Sequence, residues 1–169
     1  DAMNEEAKKY MNKMQQLSSK MTLASTKFSK WIPTIDNLDE LIASDALLTE
    51  VKYYINRIVE SSKYLLSDAE EIVISKLTQS GSIAWGQLQS ELTATLKVDF
   101  DGKEITLSEV RNLSSDKDPN VRKSAYEAEL AAYPKISQSV AYALNGVKGE
   151  VNTICELRGF ESALDQAVY

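Results

Sequence analysis

LKVDFDGKEITL, residues 96–107, is the stretch where this chain departs from helix. Leu96, Val98 and Phe100 alternate with polar residues, and Ile105 and Leu107 alternate back. Between them, Asp101-Gly102 supplies the two left-handed positions of a type I′ turn. With that dipeptide in the loop, Val98 falls opposite Ile105 and Leu96 opposite Leu107, so four apolar side chains share one face. A lone hairpin is marginal in water, so this face is expected to pack on helices.

Everything around the hairpin carries the spacing of helix. Before it, Ala7, Tyr10, Met11, Met14, Leu17, Met21, Ala24 and Phe28 form one stripe, predicting a long amphipathic helix from Asn4 to about Ser29 that Pro33 ends. Leu38, Leu41 and Ile42 predict a short helical turn. Ser44 or Asp45 can cap a second long helix running to about Leu65, with Leu48, Val51, Ile55, Ile58 and Val59 on its buried face. Ser67 and Glu70 stand at capping-box spacing, which starts a third helix at Asp68. Ser80-Gly81-Ser82 interrupts that helix, and Ile83, Trp85, Leu88 and Leu92 are core candidates in its continuation.

After the hairpin, Thr106 and Glu109 repeat the capping box ahead of a short helix through Leu113. Asp118-Pro119 begins the next, because proline at the first helical position has no amide to leave unpaired. That helix carries Val121, Ala125, Ala128, Leu130 and Ala132 to Tyr133, where Pro134 breaks it. A last helix presents Ile136, Val140, Leu144, Val147, Val151, Ile154 and Cys155 and stops at Arg158-Gly159. The expected fold class is mainly α: a multi-helix bundle with one small β-hairpin at about residues 96–107.

Composition limits what such a fold can do. The 169 residues are 43% apolar and 26% charged, with six glycines and three prolines, as in an ordered globular protein. A net charge of −6 leaves no basic excess for phosphates, so nucleic acid is not an expected partner. No apolar run approaches the roughly 18 residues that cross a bilayer, so no membrane partner is expected. A single cysteine, Cys155, fits a reducing compartment, and the expected localisation is cytoplasmic. With no histidine anywhere, the commonest general base and the usual zinc ligand are both missing.

Several residues carry a functional reading beside a structural one. Cys155 as a reactive thiol competes with burial on the face of Val147, Val151 and Ile154, and burial is favoured because no histidine can activate it. Glu70 and Glu71 as a carboxylate pair compete with first-turn capping, and capping is favoured. The stripe of Met3, Met11, Met14 and Met21 as a partner-binding surface competes with an ordinary core face, and core is favoured. Arg122 and Arg158 could hold a peptide carboxylate or, as the favoured reading, make structural ion pairs or carbonyl contacts. Gly146 and Gly149 read as close helix packing rather than phosphate binding, since no strand precedes them. The SSDKDPN loop reads as a capping connection rather than a phosphorylation site.

Three blocks in order carry a resemblance: YLLSDAEEIVISKLTQSGSIAWGQL (64–88), the stretch from DGKEITLSEV to DPNVRKSAYEAELAAY, and ALNGVKGEVNTICELRGFESALDQAVY ending at Tyr169. The Leu-Ser and Glu-Glu pairs, Gly-x-x-Ala-Trp, Arg122, Leu-Asn-Gly and Arg158-Gly159-aromatic-x-Ser resemble the N-terminal region of oligoendopeptidase F-like, thimet oligopeptidase-type zinc metallopeptidases. The resemblance covers roughly residues 38–169. It implies zinc-dependent hydrolysis of short peptides by a parent enzyme whose H-E-x-x-H helix lies downstream of this stretch, with this chain an excised, non-catalytic part of the channel wall. The implied partners are short peptides, reached through the parent, and the catalytic domain of the same polypeptide. The implied cofactor is zinc in the parent, with none bound by this chain. No catalytic, metal-binding or cofactor-binding residue is assigned here. The expected organisation is long helices over 1–66 and the family-type segment over 67–169, as one structural unit. The rival reading is a standalone helical protein–protein interaction module.

Overall fold

Among the residues that the computed structural model describes, 4–169, the chain is mainly α with one two-stranded antiparallel sheet. In order come α1 (Glu5–Trp31), α2 (Leu38–Ser44), α3 (Ala46–Glu50), α4 (Lys52–Ser62), α5 (Asp68–Ser80) and α6 (Ser82–Thr95). The strands β1 (Lys97–Phe100) and β2 (Lys103–Thr106) follow, then α7 (Leu107–Asn112), α8 (Pro119–Ala132), α9 (Ser137–Arg158) and α10 (Ala163–Val168). None of the described helices is long and apolar enough to cross a membrane. The chain divides into two compact units: Gln79–Glu150 with the described residues up to Tyr10, and Met11–Thr78 with Val151–Tyr169.

The first unit is built on the hairpin, and its register is the expected one. Val98 pairs with Ile105, and Asp101 and Gly102 both take positive φ, 49° and 72°. The predicted burial of its inner face holds too: Leu96, Val98, Leu107 and Val110 are buried with Ala125 and Ala132 of α8, and Phe100, Ile105, Leu113 and Ile136 close around them. Thr106 and Glu109 form the full capping box at the start of α7. Asp118 accepts the Asn120 amide at 2.8 Å above Pro119, starting α8 as expected.

Two expectations in this unit are corrected. Trp85 and Leu88 are not core: they stay more than a third exposed, and no residue of α6 is fully buried. On the part of α9 in this unit, Ala143 is buried and Leu144 is exposed. One point of contact between α6 and α9 is close. A Cβ on Gly146 would lie 2.5 Å from Cδ1 of Trp85, so only glycine lets the indole lie across α9. At Gly149 an added Cβ meets nothing within 4 Å, so its expected packing role is not borne out. The Glu150 carboxylate accepts from both the amide and the hydroxyl of Ser82, which satisfies the start of α6.

The second unit has its own core of Ile32, Ile42 and Ile55, closed by Ile35, Leu38, Leu48, Ile58 and Val59. The second long helix is in fact two helices. Asp45 caps α3 by accepting from the amides of Leu47 and Leu48, but Val51 leaves helical geometry (φ −97°, ψ 11°) before α4 begins. Thr49 Oγ1 donates to the Ile42 carbonyl at 2.8 Å and ties α3 back to α2. Leu48 packs against the core while Val51 is exposed, although the spacing placed both on one face.

The largest departure is α1, whose apolar stripe faces away from this unit. Met11, Met14, Leu17, Met21 and Phe28 are all about half exposed or more, so the core reading of the methionine stripe fails for them; Met3 lies outside the described residues. The helix is held by its polar face. Thr26 is buried, the Thr22 and Ser75 hydroxyls meet at 2.7 Å, and Lys30 reaches Asp68 of α5 at 2.7 Å.

Candidate functional site

The second unit concentrates its buried charge where the segment between α4 and α5 meets the end of α9. Chain reversal after α9 is local chemistry. Gly159 takes φ +78°, its amide donates to the Glu156 carbonyl at 3.1 Å, and the Phe160 amide donates to the Cys155 carbonyl at 3.0 Å. These two bonds make a Schellman turn, which aims Phe160 back across the helix end. Ser162 then caps α10, with its hydroxyl accepting from the Asp165 amide at 3.1 Å and donating to the Asp165 carboxylate at 2.6 Å.

Arg158, in the last turn of α9, meets Glu71 of α5 as a two-pronged pair. Nη1 donates to Oε1 at 2.7 Å and Nη2 to Oε2 at 2.9 Å. The pair sits inside the unit: the Glu71 side chain is 7% exposed and that of Arg158 16%. Nη1 also donates to the Tyr64 carbonyl at 2.9 Å, and Glu71 Oε1 accepts the Leu66 amide at 2.9 Å. Burial alone pushes the Glu71 carboxyl up. The hydrogen bonds from Arg158 and Leu66, with the attraction of Arg158 and Lys30, outweigh it and hold the group below its ordinary range.

Aromatic side chains pack beside this pair. Tyr64 stacks on Phe160 with ring centres 4.1 Å apart, and Tyr169 meets Tyr64 edge-on at 4.7 Å. Arg57 lies over the Tyr169 ring at 4.9 Å and donates to the Tyr169 carbonyl. An open groove of about 410 Å³ runs along the α9–α10 corner, lined by Asn152, Cys155, Glu156, Gly159, Phe160, Glu161, Ser162 and Ala163.

The polar groups here are engaged in holding backbone rather than free for chemistry. Arg158 makes the ion pair and carbonyl contact that were its favoured reading. Arg122, in the other unit, likewise donates to the Asp116 and Lys117 carbonyls at 2.8 and 3.1 Å. Glu70 caps its own helix through the Ser67 amide at 2.9 Å. Glu71 departs from the capping reading, because its main partner is a guanidinium 87 residues away. Cys155 is buried on the expected face, at the groove wall. No group of three metal-ligating side chains occurs among the described residues, and with no histidine in the sequence this donor set does not fit a zinc site.

Sequence reasoning missed α10, the Glu71–Arg158 pair and the aromatic cluster. The spacing of Ser162 and Asp165 was a usable signal for α10. The pair carries no such signal, because nothing local relates residues 71 and 158.

No curated protein sequence matches the chain. Residues 34–97 match the M3 peptidase N-terminal family model, described as oligopeptidase F. The fold is similar to the crystal structure of oligoendopeptidase-F from Enterococcus faecium, with a TM-score of 0.77 and 18% identity over 98% of this chain. The chain spans 34% of that protein's length. The family match overlaps the stretch that carries the sequence resemblance, and the structural match shows the same fold. The two later sequence blocks lie outside the family match but inside the structural one.

Proposed function

We propose that this chain is the non-catalytic N-terminal portion of a zinc metallo-oligopeptidase of the oligoendopeptidase F type. In this reading its helices contribute wall to the channel that admits short peptides. One observation carries it: nearly the whole chain superposes on about a third of an oligoendopeptidase, and the family model it matches is that of an N-terminal region.

Zinc, in this reading, belongs to the remainder of the parent, and no step through the metal is assigned to residues of this chain. What these residues supply is shape. The Glu71–Arg158 pair, the turn at Gly159 and the ring stack of Tyr64 on Phe160 lock α5 to the end of α9. A wall that confines peptides needs such rigidity, because a breathing wall would not exclude folded proteins. Short peptides and the catalytic domain of the same polypeptide are the proposed partners, and the cytoplasm the proposed compartment.

The first test is the coding sequence in frame beyond Tyr169. An H-E-x-x-H within the next few hundred codons supports the reading; an immediate stop codon overturns it. The non-catalytic part has its own test, a quenched fluorogenic peptide incubated with the pure chain. No turnover is expected, and chelator-sensitive cleavage would overturn that part. For the wall, a photoreactive peptide soaked into the parent enzyme should label residues of this portion. Labelling confined to the rest of the parent would count against it. The exposed apolar stripe on α1 favours one second reading, a helical interaction module, for which a single defined protein partner is the distinguishing result.

A further inference from the structure

In α1, Met14, Leu17, Met21, Ala24, Phe28 and Trp31 follow one another at intervals of three, four, three, four and three. That is the a/d spacing of a helix that pairs with another helix, with a period of 3.5 rather than 3.6 residues. The seam is open: Met14 is 60% exposed, Met21 62% and Trp31 55%. Over this length it runs about 26 Å. The unit grips the helix by its other side, through Thr22, Thr26 and Lys30. An apolar seam of this regularity is therefore not used by the core it belongs to.

The two edges of the seam differ in charge. Lys13, Lys20 and Lys27 recur every seven residues along one edge, each just before an a position, and all three are exposed. Met11, Ser18 and Ser25 line the other edge without charge. Residues at these flanking positions meet the flanks of the partner helix and set which partner is accepted. A second copy of α1 does not answer the lysines. Paired parallel, it sets Lys13 and Lys20 against Ser18 and Ser25; paired antiparallel, it brings lysine edge to lysine edge.

We propose that this seam receives one α-helix of the parent polypeptide from outside these 169 residues, with apolar residues at a/d spacing and carboxylates along the edge that meets Lys13, Lys20 and Lys27. The source rests on the proposed parent enzyme, since a match covering 34% of an oligoendopeptidase leaves most of such a chain to supply the helix. The chemistry of the occupant rests only on the seam and its lysines.

The test uses the whole 169-residue chain and two labelled three-heptad peptides with leucine at a and d, one with glutamate and one with lysine on both flanks. Fluorescence anisotropy should find the glutamate peptide about tenfold tighter, with the gap closing as salt rises. The variant Leu17→Glu/Met21→Glu, with its helical circular dichroism unchanged, should lose both peptides. Reversing the edge with Lys13→Glu, Lys20→Glu and Lys27→Glu should invert the preference, a readout that does not depend on disrupting the seam. Equal binding, no binding, or a chain dimer in sedimentation that Leu17→Glu dissolves would each overturn the proposal. The coding sequence separates the two ideas. A zinc motif without any acidic heptad helix in the same polypeptide overturns the source and leaves the peptidase reading standing, whereas a stop codon after Tyr169 overturns the peptidase reading and the source together, leaving the peptide preference to judge the seam chemistry alone.

Discussion

Arg158 closes both oxygens of Glu71, at 2.7 and 2.9 Å, across 87 residues of sequence. The same guanidinium holds the Tyr64 carbonyl and the same carboxylate holds the Leu66 amide, so one ion pair fixes the segment entering α5 and the helix end of α9 together.

Breaking that pair from one side leaves a buried charge alone. Arg158→Met should lower unfolding free energy by about 3–5 kcal/mol, and Glu71→Leu with Arg158→Met should recover most of the loss, because no charge then remains buried. Urea unfolding of the two variants checks this. A single variant within experimental error of the parent would refute the pairing as a stabilising contact.

The acid limb of stability should follow Glu71. Its folded carboxyl titrates below its ordinary value of 4.5, so on acidification the unfolded chain takes up the proton first. The contribution is complete above the unfolded value and is lost as pH falls through the folded one. Thermal unfolding between neutral pH and pH 3 should therefore show the parent losing stability relative to the double variant once pH drops below about 4.5.

Two glycines of α9 should respond with opposite sign. Gly146→Ala drives a methyl into the Trp85 indole and should cost about 1–3 kcal/mol as an overpacked contact. Gly149→Ala meets open space and should stabilise by about 0.5–1 kcal/mol, the gain of alanine over glycine inside a helix. Equal effects in chemical denaturation would remove the argument that Gly146 exists for close approach.

The hairpin turn makes a local prediction. Gly102 holds φ +72°, where a side chain is strained although space is open, so Gly102→Ala should cost about 1 kcal/mol. Leu107→Ala, at a fully buried core position of the same unit, should cost about 2–5 kcal/mol. Reversal of that order would contradict the core assigned to the hairpin face.

Local signals in this chain were legible because their partners lie within a few residues. The type I′ turn at Asp101-Gly102, the capping boxes at Ser67 and Thr106 and the Asp118-Pro119 start each join groups no more than three or four positions apart. The break at Val51 was not legible, since no glycine or proline stands there and the Thr49 hydroxyl beside it answers to a carbonyl seven residues back. Nor was the orientation of α1. Its stripe has helical spacing whichever way the helix faces, and spacing cannot say whether the core lies on that side.

By itself, then, the sequence determined a mainly helical chain with one registered hairpin and no imidazole, because backbone propensity, capping and pleat are properties of neighbouring residues. Only the tertiary structure decided that Glu71 belongs to Arg158, that Trp85 rests on Gly146, and that α1 is held by its threonines with its methionines outward. Those outcomes depend on which surfaces meet across long stretches of chain, and burial is a property of the meeting rather than of either surface alone.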